Sequence, residues 1–218
     1  MYRVILFDLD GTLTDSGEGI TKSVQYAIEK LGMGEYPLEE LRSFVGPPLM
    51  EQFMNFCHIS QERAKEAVGY YRERYSLVGL YENRPYDGIS KLLKELKEQG
   101  YLLGVASSKP EYFVDKILQH FSLDSYFDAV VGSELSGQRT SKSEVVEEAL
   151  RRLGVSDRRQ EVVLVGDRKF DVLGARAMGI DCVAVSYGYG DMQELMEVNP
   201  VYISKSVEEL VDFFGLSL

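Results

Sequence analysis

The chain opens on a short apolar run that ends in acidic residues. Residues 4–7 read Val-Ile-Leu-Phe, and residues 8–11 read Asp-Leu-Asp-Gly. A continuous apolar run of this kind predicts a strand that is buried on both faces, as in the middle of a parallel sheet. The acidic residues therefore follow directly after the predicted end of a central strand.

The next segment has the periodicity of helices and carries no strand pattern. Apolar residues recur at spacings of three and four between Gly17 and Gly32, which predicts a helix with one buried face. Residues 38–44 and 48–56 form short amphipathic pieces, and residues 64–78 mark a longer helix. We therefore predict an all-helical cap domain over residues 16–84, inserted after the first strand.

From residue 85 onward, apolar runs and amphipathic segments alternate. A helix is predicted to start from an Asp87 cap and to end at Gly100. Further strands are expected at 101–106, 127–131, 161–165 and 181–185, and further helices at 110–121, 141–153, 170–178 and 206–214. Such alternation predicts an α/β fold, with a doubly wound, Rossmann-like parallel sheet formed by residues 1–15 and 85–218.

Composition narrows the possible functions. The 218 residues include 24 Lys+Arg and 35 Asp+Glu, a formal net charge of −11, without a basic run. An acidic chain of this kind repels nucleic-acid polymers and anionic membranes, and no apolar stretch approaches the ~20 residues of a membrane span. The N-terminal residues show no signal-peptide pattern, and the 2 cysteines lie far apart. We therefore expect a cytoplasmic protein in a reducing compartment.

Polar residues cluster where predicted strands end. They are Asp8 and Asp10 after the first strand, Ser107, Ser108 and Lys109 after the second, and Gly166 and Asp167 after a later one, with Asp171 one helical turn on. Ligands of parallel α/β sheets bind beyond the carboxyl ends of the strands. Several carboxylates at one sheet edge repel each other and are costly to bury, and a divalent cation is the obvious compensation.

Each feature also has an ordinary structural explanation. Asp-x-Asp-Gly suits a turn or a helix cap, and Asp167 suits the N-cap of the helix that follows it. Lys142 falls in the first turn of a helix, because Ser141 and Glu144 fit a capping box, and a cation is disfavoured at that end. A lysine there is explained either by an anion that it binds or by exposure to solvent.

Together these segments match the motif order of one family. They are FDLDGTLTDS at residues 7–16, VASSKP at 105–110, Lys142, and VGD at 165–167 with Asp171. In sequence they resemble the four motifs of the haloacid dehalogenase-like phosphatases. The resemblance covers essentially the whole chain, including a helical cap after the first motif, and is greatest to the phosphoglycolate phosphatase and 5′-nucleotidase branch.

The resemblance implies roles for four aspartates. Asp8 would be the nucleophile that becomes an aspartyl phosphate, and Asp10 would protonate the leaving alcohol and later deprotonate water. Mg²⁺ would be held by the carboxylates of Asp8 and Asp167 and by the backbone carbonyl of Asp10, an all-oxygen set that suits a hard cation. Asp171 would be a further ligand or would support the ligands.

The resemblance also implies a group of residues that hold the substrate phosphate. The hydroxyl of Ser107 and the backbone amides of Gly11 and Ser108 would contact phosphate oxygens. Lys142 would contact the same phosphate and balance the charge on Asp8.

The implied activity is Mg²⁺-dependent hydrolysis of a small phosphorylated metabolite. A 5′-nucleotidase-like activity is the first expectation, a phosphoglycolate phosphatase the alternative, and a sugar phosphomutase a further one. A response-regulator-like phospho-switch also uses acids and a lysine, but its phosphorylated aspartate normally follows the third strand. We expect a monomer or a homodimer.

Two segments remain open at this point, and a third is interpreted. The turn Phe44–Pro48 either contacts substrate or merely connects two helices. Arg139 either contacts the substrate phosphate or pairs with a local acid. Gly188-Tyr189-Gly190 lacks the position and the third glycine of a nucleotide-binding loop, and we interpret it as a surface loop.

Overall fold

The strands of the protein are given by a computed structural model that describes residues 2–216. They are β1 Val4–Phe7, β2 Thr14–Asp15, β3 Arg84–Pro85, β4 Leu102–Pro110, β5 Ala129–Ser133, β6 Val162–Gly166, β7 Asp181–Val185 and β8 Tyr202–Ser204. Six of them form one sheet in the order β5-β4-β1-β6-β7-β8, in which every neighbouring pair is parallel. The remaining pair, β2 and β3, forms a separate two-stranded sheet.

Helices connect these strands. Within the described residues the α-helices are α1 Gly17–Lys30, α2 Leu49–Cys57, α3 Gln61–Arg74, α4 Ile89–Glu98, α5 Glu111–His120, α6 Lys142–Arg152, α7 Lys169–Ala177, α8 Met192–Glu197 and α9 Val207–Phe213. Parallel strands joined through helices define a doubly wound α/β fold, which confirms the predicted class. None of the helices in this described part of the chain is long and apolar enough to cross a membrane.

The central strand β1 is covered on both faces of the sheet. Val4 and Leu6 belong to one apolar cluster with residues of α6 and α7. Ile5 and Phe7 point to the opposite face, because side chains alternate along a strand, and both are 0% exposed. Burial on both faces explains why this strand is a continuous apolar run.

Contacts divide the chain into two compact units, one made of the described residues up to Thr14 and from Pro85 onward, and the other of Asp15–Arg84. In the second unit α1 and α2 both pack on α3. Its core includes Phe44, whose ring centroid lies 4.9 Å from that of Phe53 and 5.3 Å from that of Phe56.

The structure differs from the prediction at two short elements and at the start of one helix. The sequence pattern predicts neither α8 nor β8, because six and three residues are too few for periodicity to show. The N-cap of α4 is Gly88, with φ of +86°, and not Asp87. Gly100 ends this region at φ of +81°, as predicted, because a residue without Cβ adopts this left-handed conformation at low cost.

Candidate active site

Three neighbouring strands bring the predicted site residues together. β1 lies between β4 and β6, with Phe7 in register with Val105 and Val165. Asp8 follows β1, and Asp167 follows β6. β4 extends four residues beyond its predicted end at 106, so that residues 107–109 lie within the strand. The carboxyl ends of these parallel strands form the candidate site, as expected for this fold.

Asp8 is buried and held by neighbouring groups, with only 8% of the residue exposed. Its Oδ1 accepts a hydrogen bond of 2.7 Å from the backbone N–H of Leu9, and its Oδ2 lies 3.0 Å from Nζ of Lys142. Burial raises the pKa of Asp8, and the negative charge of Asp171 adds to this, whereas Lys142 and the hydroxyl of Ser107 act in the opposite direction. The carboxylate is therefore fixed in direction and excluded from bulk water.

Asp167 completes a cluster of buried acids. One carboxylate oxygen from each of Asp8, Asp167 and Asp171 lies within 4.8 Å of the others. Oδ2 of Asp167 accepts a 2.7 Å hydrogen bond from the backbone N–H of Tyr189, whereas its buried Oδ1 has no hydrogen-bond partner in the described part of the chain. Burial, followed by the charges of Asp171 and Asp8, raises the pKa of Asp167 well above its ordinary value. An unsatisfied carboxylate oxygen within an all-oxygen cluster fits a hard divalent cation.

Asp171 differs from Asp167 because both of its carboxylate oxygens have partners. Oδ2 accepts a 2.9 Å hydrogen bond from the backbone N–H of Arg168, and Oδ1 lies 2.7 Å from Nζ of Lys142. In the first contact the side chain of Asp171 caps the backbone N–H of Arg168, which is the N-cap residue of α7, so the predicted N-cap role of Asp167 is wrong. Asp167 is instead left free to face the cluster, because the next residue caps the helix.

Lys142 is buried, which excludes the surface-lysine alternative. The predicted capping box of Ser141 and Glu144 is present and makes Lys142 the first residue of α6. Its ammonium group donates a 2.9 Å hydrogen bond to the carbonyl of Ala106 and forms the ion pairs with Asp8 and Asp171. Burial alone would lower the pKa of Lys142, but the two carboxylates outweigh it and raise the pKa. A permanent cation therefore adjoins the Asp8 carboxylate.

Asp10 lies at the same sheet edge but outside the acid cluster. Its two carboxylate oxygens lie 2.9 and 2.7 Å from Nζ of Lys109. The side chain of Lys109 is only 7% exposed. The sequence places Lys109 in the polar segment at the end of a predicted strand, but it does not indicate Asp10 as the partner, because the two residues are 99 positions apart.

The predicted phosphate-binding residues meet at this edge, with one change. Ser107 is 2% exposed, and its Oγ accepts a 3.3 Å hydrogen bond from the backbone N–H of Lys109. Ser108 is partly exposed. The backbone N–H of Gly11, expected to face phosphate, donates a 2.8 Å hydrogen bond to the carbonyl of Thr14. Gly11 instead provides space for Asp167. At its φ of +79°, a Cβ on residue 11 would lie 2.0 Å from Oδ2 of Asp167.

The sequence pattern predicts a plain surface loop at residues 188–190, but in the structure this loop contacts Asp167. The backbone N–H of Tyr189 is the group that donates to Asp167. A Cβ on Gly190 would lie 2.0 Å from the carbonyl oxygen of Asp167, and one on Gly188 would lie 2.3 Å from that of Gly11. Both glycines therefore allow the loop to approach Asp167 closely.

The two remaining open segments are resolved by their contacts. The guanidinium of Arg139 lies within ion-pair distance of three local acids: Glu134 at 3.3 Å, Glu148 at 3.6 Å and Glu111 at 3.7 Å. The local-acid alternative for Arg139 is therefore confirmed. In the turn 44–48, Phe44 and Val45 are 2% and 1% exposed, and the ring of Phe44 packs inside the helical unit, as expected of a connector.

Comparisons with known proteins support this fold and identify a family. The family model described as haloacid dehalogenase-like hydrolase matches residues 5–185. The crystal structure of a predicted phosphatase from Clostridium acetobutylicum is similar with a TM-score of 0.93 and 44% identity, and covers 98% of each chain.

Curated relatives carry several names. A 5′-nucleotidase of Pseudomonas aeruginosa is 47% identical over 92% of this chain and 90% of its own length. The tyrosine-protein kinase PtkA of Mycobacterium tuberculosis is 38% identical over 98% of this chain and 73% of its own. Relatives named phosphoglycolate phosphatase match at 26% to 29% identity. The chain therefore belongs to the haloacid dehalogenase-like hydrolases, and it is a phosphatase of that family.

Proposed function

We propose that this phosphatase is Mg²⁺-dependent and hydrolyses nucleoside 5′-monophosphates through an aspartyl phosphate on Asp8. One observation carries the proposal: the Asp8 carboxylate lies 3.0 Å from a buried ammonium group and within 4.8 Å of the carboxylates of Asp167 and Asp171. A carboxylate held in this way next to a fixed cation is suited to attack a phosphate dianion, because its surroundings offset the repulsion between the two anions.

In the first half-reaction an oxygen of Asp8 attacks phosphorus, and the phosphorus–oxygen bond to the leaving alcohol breaks. Asp10 acts here in its protonated form and gives this proton to the leaving oxygen, which makes the alcohol a neutral product. Lys142 faces the nucleophile and balances the charge that gathers on the transferring group. The hydroxyl of Ser107 and the backbone amide of Ser108 hold oxygens of the same phosphate.

In the second half-reaction a water molecule attacks the phosphorus of the aspartyl phosphate. Asp10, now a carboxylate, takes a proton from this water, and the bond between phosphorus and the Asp8 oxygen breaks. Inorganic phosphate leaves, and both aspartates return to their starting protonation states. One carboxyl group thus acts as acid and then as base.

The acid cluster supports a divalent cation as a resident partner. The carboxylates of Asp8 and Asp167, with the backbone carbonyl of Asp10, would hold Mg²⁺, and the free Oδ1 of Asp167 is the group that most needs it. Mg²⁺ bound there would offset the charge of the carboxylates and of the substrate phosphate. Asp171 supports this site from behind, since its oxygens bind Lys142 and the start of α7.

The similarity to a 5′-nucleotidase favours nucleotides as substrates, at 47% identity over most of both chains. Phosphoglycolate is the second candidate, and both candidates are small phosphorylated metabolites. A sugar phosphomutase or a kinase would instead pass the phosphoryl group from Asp8 to another hydroxyl.

Cys57 and Cys182 are free thiols and both are buried, which fits the predicted reducing, cytoplasmic location.

A substrate panel tests the proposal. Purified protein with Mg²⁺ is assayed for released inorganic phosphate, and kcat/KM is measured for nucleoside 5′-monophosphates, 2-phosphoglycolate and hexose phosphates. The Asp8→Asn variant, purified in the same way, controls for contaminating phosphatases. We expect the highest kcat/KM for a nucleotide. A clear preference for 2-phosphoglycolate would promote the second candidate, and phosphoryl transfer to a sugar or tyrosine hydroxyl without phosphate release would overturn hydrolysis.

A further inference from the structure

Lys109 and Asp10 form a two-point ion pair at the candidate site. Nζ of Lys109 contacts both carboxylate oxygens of Asp10, and the two side chains are only 7% and 11% exposed. Taking two charges out of water is costly, and such a pair is sustained only when its geometry is good. Contact with both oxygens fixes the rotation of the Asp10 carboxylate as well as its position.

The backbone holds Lys109 in the place that this contact requires. Its N–H donates to Oγ of Ser107 at 3.3 Å. The pairing of β4 with β5 shifts register between Ala106 and Pro110, so the end of β4 departs from regular strand geometry at the segment that contains Lys109. The side chain is thereby delivered to the end of the adjacent strand, β1, next to which Asp10 lies.

The site therefore contains two lysines, one buried and one partly buried, that contact different carboxylates. Lys142 contacts Asp8 and Asp171, whereas Lys109 contacts Asp10. The residue proposed as nucleophile and the residue proposed as acid and base are each set against a different ammonium group. This separation allows the direction of the Asp10 carboxylate to be controlled without disturbing the nucleophile.

We propose that Lys109 is a positioning residue that orients the Asp10 carboxyl group toward the leaving-group oxygen. The inference rests on the proposed function, in which Asp10 donates a proton as the ester bond breaks and takes one from water later. Lys109 acts on the reaction through its contacts with the Asp10 carboxyl group. Its effect is therefore confined to substrates whose leaving group needs a proton.

Leaving groups of different acidity separate this role from others. Nucleoside 5′-monophosphates release an alkoxide-like oxygen that requires protonation, whereas p-nitrophenyl phosphate releases a stable phenolate that does not. Removal of Lys109 should lower kcat/KM mainly for the nucleotide. A lysine that bound the substrate phosphate directly would affect both substrates equally, because both carry the same phosphate group.

The experiment compares the wild type, Lys109→Met, Asp10→Asn and the double variant on these two substrates with Mg²⁺. We expect Lys109→Met to lower kcat/KM for the nucleotide at least about tenfold more than for p-nitrophenyl phosphate, within the range that general acid catalysis supplies. In the Asp10→Asn background the same substitution should change the ratio of the two kcat/KM values less than about twofold, because a residue that acts only through Asp10 has nothing left to orient.

A matched control is available in the same unit. Nζ of Lys97 also contacts both oxygens of an aspartate, Asp128, at 2.8 Å each, but away from the candidate site. Lys97→Met removes an ion pair with the same two-point contact, although its side chains are more exposed, and should leave the ratio of kcat/KM values unchanged. The thermal midpoint of each variant is recorded, and if Lys109→Met does not fold, Lys109→Gln is measured in its place.

The possible outcomes are distinct. Equal losses on the two substrates, or a change in the ratio that persists in the Asp10→Asn background, would overturn the positioning role while leaving hydrolysis intact. A wild-type protein that releases phosphate from neither substrate would refute the proposed function, and with it the role of Lys109.

Discussion

A Cβ atom on Gly174 would lie 2.6 Å from Cγ of Lys142. Gly174 belongs to α7, and the buried side chain of Lys142 passes over it on the way to Asp8 and Asp171. Two helices thus meet at a point where one lacks a side chain, and the space is filled by a lysine. The arrangement determines where the ammonium group is held.

We expect Gly174→Ala to lower phosphatase activity although alanine is the better helix former. In an open helix position this change stabilises by up to about 1 kcal/mol, but here it requires Lys142 or α7 to move. Gly69 in α3 is the matched control, because a Cβ there meets nothing within 4 Å. Gly69→Ala should keep wild-type kcat/KM and not lower the thermal midpoint. Equal activities for the two variants would contradict the tight packing of Lys142.

We expect Asp8→Asn to abolish turnover and leave the fold intact. Asparagine has nearly the same shape and can still accept the hydrogen bond from the N–H of Leu9, but it is not a nucleophile toward phosphorus. Phosphate release and circular dichroism spectra are measured on the same preparation. More than a few per cent of the wild-type rate, in protein free of other phosphatases, would exclude Asp8 as the nucleophile.

Chelation should remove activity, and Mg²⁺ should restore it. The carboxylates of Asp8, Asp167 and Asp171 lie together in a buried site, and a substrate dianion adds further negative charge. Without a cation, this repulsion opposes substrate binding and attack. Activity is measured after treatment with EDTA and again after dialysis into Mg²⁺. Full activity in the presence of excess chelator would contradict a metal-dependent mechanism.

In the metal-free protein, Asp167→Asn should raise stability at neutral pH. Burial raises the pKa of Asp167 above its ordinary value of 3.8, so the folded state binds this proton more tightly than the unfolded state. Stability linked to Asp167 is therefore complete below pH 3.8 and is lost as pH rises through the raised pKa. Asparagine removes this loss, and we expect a gain of about 1–3 kcal/mol, the cost of a poorly satisfied buried polar group.

The readout for Asp167→Asn is the thermal midpoint in EDTA at several pH values and again with Mg²⁺. The variant should be more stable than the wild type without metal and should respond less to Mg²⁺. Asp181, which is exposed and receives a 2.7 Å hydrogen bond from Tyr2, gives a control outside the cluster in Asp181→Asn. A wild type that is more stable than Asp167→Asn in EDTA at neutral pH would show that the buried charge is already compensated.

Much of this protein follows from features local in sequence. The buried strand before Asp8 is a continuous apolar run, and the capping box that places Lys142 at the start of α6 spans four residues. Such signals depend on neighbours a few positions away, so they can be read from the sequence before any fold is known. The order of the motifs along the chain then indicates the family.

Only the tertiary structure decides which of these groups touch. Lys109 meets Asp10 across 99 residues, and the N–H of Tyr189 reaches Asp167 from a loop that resembles a plain surface loop in sequence. These contacts depend on strand order and register, which bring distant segments together without any local pattern. The sequence thus determines which chemical groups lie at the sheet edge, and strand pairing determines which carboxylate each cation holds, because a buried charge is stable only beside the partner that the fold supplies.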